Sequence, residues 1–150
     1  MKVRELMRFP LTIDSNATVK QVAQLMSSKS SNAILVQKGK KFGLITESDI
    51  LKRVVAAGRD PLKTKAEDVM TEKPWTLTAN ADVDTAAEFM KEKDIRCLPL
   101  TEDDGSIVGI ISVRDISHNF SFYLARHLHE EQFERPHYFE ERVDASKKTK

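Results

Sequence analysis

The sequence predicts an α+β protein built from two copies of one unit, each running strand, helix, strand, strand, helix, with a helical extension after the second copy. Three observations carry this. Gly43-Leu44-Ile45-Thr46-Glu47-Ser48-Asp49-Ile50 recurs sixty-six residues later as Gly109-Ile110-Ile111-Ser112-Val113-Arg114-Asp115-Ile116. At an offset of sixty-four, Pro10, Thr12, Asn16, Ala17, Val19, Ala23, Met26 and Lys29 match Pro74, Thr76, Asn80, Ala81, Val83, Ala87, Met90 and Lys93. The offset changes only at a turn, where Lys38-Gly39-Lys40-Lys41 faces the longer Glu102-Asp103-Asp104-Gly105-Ser106. Turns absorb insertions that strands and helices do not, so the chain is an internal structural repeat.

Each element follows from local chemistry. Val3-Arg4-Glu5-Leu6-Met7 and Ala66-Glu67-Asp68-Val69-Met70 are matching lead-in segments. Leu11-Thr12-Ile13 and Trp75-Thr76-Leu77 follow a proline and read as short extended stretches. Thr18 opens a helix with Gln21 three residues on, the spacing of a capping box, and Val19, Val22, Ala23 and Met26 form its apolar stripe. In the second copy Asp82 is the expected cap, and Val83, Ala86, Ala87 and Met90 the stripe. Ala33-Ile34-Leu35-Val36 and Cys97-Leu98-Pro99-Leu100 are apolar runs of buried-strand type. Gly39 and Asp104-Gly105 turn them back into Phe42–Ile45 and Ile107–Ile111. A second helix then places Ile50, Leu51, Val54 and Val55 inward and ends at Gly58, and residues 58–65 link the copies.

Composition bounds the class. At 40% apolar and 31% charged, the chain is of ordinary globular composition. A half-length unit buries too little surface to stand alone, so the copies share an interface. The single cysteine, Cys97, forms no intramolecular disulfide and reads as a buried, inert thiol. No apolar stretch approaches the roughly 18 residues of a membrane span, and the amino terminus carries no secretory pattern, so the expectation is a cytoplasmic protein. Charge is unevenly placed. Residues 1–65 hold thirteen Lys/Arg and five Asp/Glu, a net of +8, whereas residues 66–116 hold five and twelve, a net of −7. That polarity speaks against a broad nucleic-acid surface. It suits complementary packing between the halves or between two copies of the chain, and also fits plain solvated surface.

The repeated octet carries the chemistry. Thr46 with Asp49, and Ser112 with Asp115, stand at capping-box spacing, so each is first a helix cap. Each also falls at the carboxyl end of an apolar strand beside helix amides. Helix N-termini attract phosphate, and a carboxylate there accepts from ribose hydroxyls. Arg114 beside the second cap is a candidate phosphate ligand, or a solvated helix-start arginine, where the first copy has neutral Ser48. The charge map instead favours phosphate at the basic first copy.

The order of elements, the paired Gly-apolar-apolar-Thr/Ser-x-x-Asp junctions, Asp68-Val69-Met70-Thr71, Leu98-Pro99-Leu100 and the linker Gly58-Arg59-Asp60-Pro61 resemble the CBS-domain pair, also called the Bateman module, over about residues 1–116. The first copy departs in having Ile34-Leu35-Val36 without the proline. The resemblance implies a non-catalytic regulatory module. Its motifs would occupy 1–65, with the linker, and 66–116, packed sheet to sheet as a pseudo-twofold pair, with a tail at 117–150. It would form a homodimer and bind AMP, ADP or ATP, or else S-adenosylmethionine or NAD. The resemblance places ribose at Asp49 and Asp115, and ribose or phosphate near Thr46 and Ser112, with Ser48 and Arg114 beside these as further candidates for the ribose or phosphate. It places the adenine slot at Thr12, Ile13, Asn32, Ala33, Thr76, Leu77, Arg96 and Cys97.

Catalysis and metal binding have little support. No acid–base partner is tied by spacing to Asp49 or Asp115. Gly39-Lys40-Lys41 lacks a P-loop's glycine-rich turn. His127 and His129 stand two apart, on different sides of a helix, so no metal site is predicted. Residues 117–139 hold six of the ten aromatics. Ile116, Phe120, Tyr123, Leu124, His127 and Leu128 fit one helical face, predicting a helix to about Glu131, broken at Pro136, with a disordered end from Glu140. Such a stripe needs a surface: its own domain, a dimer mate or a target protein. The alternative function is therefore a ligand-free interaction scaffold acting through this tail and the charged surfaces.

Overall fold

The computed structural model describes the backbone of residues 1–127 and side chains as far as residue 121. Contacts divide the chain after Ser117, and both repeats lie in the first unit, Met1–Ser117. The first sheet runs β1 (Thr12–Asp14), β2 (Ala33–Lys38), β3 (Lys41–Thr46) in that order, with β1 parallel to β2 and β2 antiparallel to β3. Helix α1 (Val19–Ser28) makes the parallel crossover. The second sheet repeats this with β4 (Leu77–Thr78), β5 (Cys97–Thr101) and β6 (Ile107–Ser112), joined through α4 (Val83–Glu92). Both hairpins turn on a left-handed glycine, Gly39 (φ 61°) and Gly105 (φ 82°).

The Thr18–Gln21 box forms as expected: Gln21 N–H donates to Thr18 Oγ1 at 3.2 Å and Thr18 N–H to Gln21 Oε1 at 2.9 Å. Val19, Val22 and Met26 are buried below it. Four sequence expectations need correction. Asp82 begins α4 by backbone position but makes no side-chain cap, because its carboxylate pairs with Lys2 Nζ at 2.9 Å. Ala87 is exposed, and half-buried Phe89 packs against the core. The second helix of the first copy is not one α-helix. After α2 (Glu47–Ile50) the chain widens into a π turn, Leu51–Val55, closed by Ala56 N–H to the Leu51 carbonyl at 2.9 Å. That shift of phase buries Val54 but leaves Leu51 and Val55 exposed. The strands after the prolines also begin later than read, which leaves Trp75 outside the sheet.

The apolar runs of β2 and β5 are buried on both faces, as continuous rather than alternating patterns require. From β2, Ile34 and Val36 join α1 in one core, while Ala33 and Leu35 face the second sheet. There they meet Leu44, Cys97 and Ile110, so the two sheets pack against each other through a third apolar cluster.

The lead-in segments are exchanged between copies. Val3, in the turn Val3–Glu5, is fully buried among Ala79, Ala86, Met90, Leu98, Leu100 and Ile111 of the second copy. Helix α3 (Ala66–Val69) and Met70 fill the core of the first. The strand edges are extended to match: Arg8 exchanges backbone hydrogen bonds with Ile110 (2.9 and 3.0 Å) and Thr71 with Leu44 (2.9 and 3.0 Å). The charge polarity is met inside the chain. Lys2–Asp82 (2.9 Å), Arg4–Glu102 (2.8 Å), Arg8–Asp115 (2.9 Å) and Lys38–Glu67 (3.0 Å) each join a base of the first half to an acid of the second.

Helix α5 (Val113–His127) continues from the second junction, and Ile116 packs beside the second core. The expectations for residues beyond 127, including the helix to Glu131 and the break at Pro136, lie outside the described residues, as do the side chains of Tyr123, Leu124 and His127.

Candidate functional site

Both junctions form the caps their spacing implies. At the first, Asp49 Oδ2 accepts from Thr46 N–H (2.8 Å) and Thr46 Oγ1 (3.0 Å), and Asp49 N–H donates back to Thr46 Oγ1 (3.4 Å). At the second, Asp115 Oδ2 accepts from Ser112 N–H (2.8 Å) and Oγ (2.7 Å), and Asp115 N–H donates to Ser112 Oγ (3.2 Å). Each carboxylate is thus held rigidly by one oxygen, its side chain 17% exposed at Asp49 and 15% at Asp115.

The glycine that opens each octet serves packing. A methyl group at Gly43 would collide with Met70 Sδ and stand 2.9 Å from its Cγ, and one at Gly109 would do the same to Met7. The exchanged lead-in segments lie across the strands at these two points, so the Gly-apolar-apolar pattern records their close approach.

A cleft of about 500 Å³ opens at the first junction and is lined by both copies. The first copy supplies Asn32, Leu44, Thr46, Glu47, Ser48, Asp49 and Lys52. The second supplies Thr71, Pro74 and Trp75 from the loop after its lead-in helix, and Asp94, Ile95, Arg96 and Cys97 from the turn into β5. Asp94 makes that turn in the left-handed conformation (φ 51°). Trp75 is held edge-on to Phe89 at 5.8 Å, with Lys93 Nζ 4.8 Å from its ring centre. Burial pushes the Cys97 thiol up to about 12, so this group is an inert wall rather than a nucleophile.

The second junction is furnished differently. Arg8, from the first lead-in segment, places Nε 2.9 Å from Asp115 Oδ1 and donates from Nη2 to Asn32 Oδ1 at 3.3 Å. The Nε contact is an ion pair by distance, but its N–H is not aimed at the oxygen, and buried Nε has no hydrogen-bond acceptor among the described residues. The contact therefore gives charge compensation without a full hydrogen bond. Ser112 is only 1% exposed, its hydroxyl turned into the cap, and Arg114 is exposed on the first turn of α5.

Of the residues singled out from sequence, the fold brings Asn32, Thr46, Ser48, Asp49, Arg96 and Cys97 to one cleft. It does not bring Thr12, Ile13, Ala33, Thr76 or Leu77 there. Thr12 and Thr76 are exposed, Ile13 and Leu77 pack on the two cores, and Ala33 lies between the sheets. Sequence reasoning missed Lys52, Thr71, Pro74, Trp75, Asp94 and Ile95 as lining residues. Trp75 was within reach of it, as the chain's single tryptophan beside the matched proline. Arg8 carried no such signal, since its place depends on the exchange. Among the described residues no cluster of three or more His, Cys, Asp or Glu can hold a metal ion, and no helix is long and apolar enough to cross a membrane.

Comparison with known proteins agrees with this architecture. The CBS domain family model matches residues 3–56 and 66–121. The CBS domain-containing protein YhcV of Bacillus subtilis is 32% identical over 109 residues, which cover 72% of this chain and 76% of that protein. An uncharacterised protein of Methanopyrus kandleri is 30% identical over 108 residues, 71% of this chain and 55% of its own. The chain spans about half that relative's length and less of two others, 16% and 20%. The CBS domain pair of protein MJ0100, in complex with 5′-methylthioadenosine and S-adenosyl-L-methionine, is 28% identical with a TM-score of 0.71, over 80% of this chain and 99% of that one. A hexameric CBS-CP12 protein from bloom-forming cyanobacteria is 26% identical with a TM-score of 0.74, over 98% and 82%.

Proposed function

Since the chain belongs to the CBS-domain family and closes two copies around one cleft, we propose that it is a non-catalytic regulatory module that binds an adenosyl ligand at that cleft. The observation that carries this is Asp49: its Oδ2 is fixed by Thr46, while Oδ1 has only Arg53 Nε at 3.6 Å among the described residues and remains an acceptor for ribose hydroxyls. Trp75, Pro74 and Ile95 offer the flat apolar wall a purine requires, and Lys52 and Arg96 are the lining cations a phosphate would meet. The methylthioadenosine and S-adenosylmethionine bound by the MJ0100 pair support the adenosyl class. AMP, ADP, ATP and NAD share the same ribose and base.

Ligand binding acts by linkage. The cleft draws half its wall from each copy, so a bound molecule stabilises one arrangement of the copies by the difference in its affinity for the alternatives, and by no more. That arrangement in turn sets self-association, as a homodimer, or binding to a partner protein. Thermal unfolding with AMP, ADP, ATP, 5′-methylthioadenosine, S-adenosylmethionine and NAD tests the reading. At a hundredfold excess over Kd, binding adds about 2.7 kcal/mol, which raises Tm by roughly 5–10 °C at this length. The shift is lost in Asp49→Ala. No shift with any of the six, or a shift that Asp49→Ala leaves intact, rejects the proposal.

A further inference from the structure

The two junctions differ in the residue that each exchanged lead-in segment lays against the strand. Thr71 lies beside Leu44 at the first, and Arg8 beside Ile110 at the second, each held by a pair of backbone hydrogen bonds of 2.9 and 3.0 Å. Thr71 is short and uncharged and leaves Asp49 to the cleft. The nearby Arg53 pairs with Asp49 Oδ1 only at 3.6 Å, farther than Arg8 from Asp115, and its Nη1 is tied to the carbonyls of Val69 (3.0 Å) and Met70 (3.2 Å). Arg8 instead reaches from its fixed backbone to Asp115 Oδ1 and on to Asn32, spanning both copies.

We propose that Arg8 is a built-in occupant of the second junction, which holds the carboxylate that would otherwise accept a ribose, so that the chain binds one uncharged adenosyl ligand, at Asp49. This rests on the adenosyl reading above. Asp115 is mostly withdrawn from solvent, and its Oδ2 is already committed to Ser112. A ribose would have to take Oδ1 from a guanidinium, and neutral hydroxyls do not replace the charge they would displace. Arg8 cannot retreat with its backbone either, since Val3 and Met7 on the same segment are anchored in the second copy. The duplicated sequence therefore encodes one open junction and one that its own lead-in segment fills.

Calorimetric titration with 5′-methylthioadenosine, followed in parallel by tryptophan fluorescence, tests this. Trp75 is the single tryptophan and lines the first cleft, so its emission reports that cleft. The wild type is expected to bind one molecule per chain, with the Trp75 change saturating at the same ratio, and Asp49→Ala to bind none. Arg8→Ala should bind two, the second without further change in Trp75 emission and removed by Asp115→Ala. Should Arg8→Ala not fold, Arg8→Gln removes the charge, keeps a hydrogen-bonding group for Asn32 and carries the same expectation. Two molecules bound by wild type, or one by the folded Arg8 variants, overturns the proposal while leaving the adenosyl reading intact. No binding by any of these proteins overturns it too, and the six-ligand melting series then decides whether the adenosyl reading fails with it.

Discussion

Gly43→Ala should be one of the most damaging single-methyl changes available to this protein, and for a reason unconnected with ligand. The added methyl would run into Met70 Sδ and stand 2.9 Å from Met70 Cγ and 3.0 Å from the Thr71 carbonyl oxygen. Met70 is 8% exposed and has little room to turn. The Thr71 backbone is pinned by its paired hydrogen bonds to Leu44, so withdrawing the carbonyl means opening that bridge. Overpacking of this kind costs about 1–3 kcal/mol, or a fall in Tm of roughly 3–10 °C at about this size. Gly109→Ala meets only side-chain atoms of Met7, which is less buried, and should cost less. Melting followed by far-UV circular dichroism measures both. In a Met70→Ala background the part of the Gly43→Ala cost that comes from the Met70 side chain should disappear, leaving the smaller part set by the Thr71 carbonyl. A Gly43→Ala protein that melts within a degree of wild type, or a cost that Met70→Ala leaves wholly unchanged, refutes the claim that the exchanged segment is what requires glycine here.

Three further expectations follow from the same contacts. Val3→Ala, at the second copy's core though encoded at the head of the first, should lower stability by about 1–3 kcal/mol, far more than an ordinary terminal residue would, as read from the urea midpoint. Hydrogen bonds from Lys2 to Asp82 and from Arg4 to Glu102 hold both carboxyls below their usual values. With folded values depressed, their stabilisation is present above the ordinary carboxylate range of about 4 and fades as pH falls through the folded values. Tm should drop as pH is lowered below about 4, and by less in Lys2→Ala/Arg4→Ala; the pairs are exposed and the effect should shrink in high salt. The Cys97 thiol, raised to about 12 by burial, should resist a disulfide reagent at pH 8 in the native state and react freely in urea, so prompt native labelling would show that the wall it forms is open.

The repeat, the strand and helix order and the two capping boxes were legible because they are local: a hydroxyl three residues before a carboxylate caps a helix whatever surrounds it. The family was legible because those local features recur in register. The outward turn of Leu51 and Val55 was not, since a helix and a π turn place the same residues on different sides. Nor was the pairing of Asp82 with Lys2, which competes with a cap from eighty positions away.

By itself, then, the sequence determined two similar units, each with a Thr/Ser-x-x-Asp junction, and a basic half that answers an acidic one. Tertiary structure decided what each junction meets. The lead-in segments cross over, which carries Thr71 and Trp75 to Asp49 and Arg8 to Asp115, and turns opposite charge into ion pairs between the halves. Nothing in a linear pattern specifies that exchange. Each small sheet leaves an apolar face, and the other copy's first turn, Val3 or Ala66–Met70, fills it.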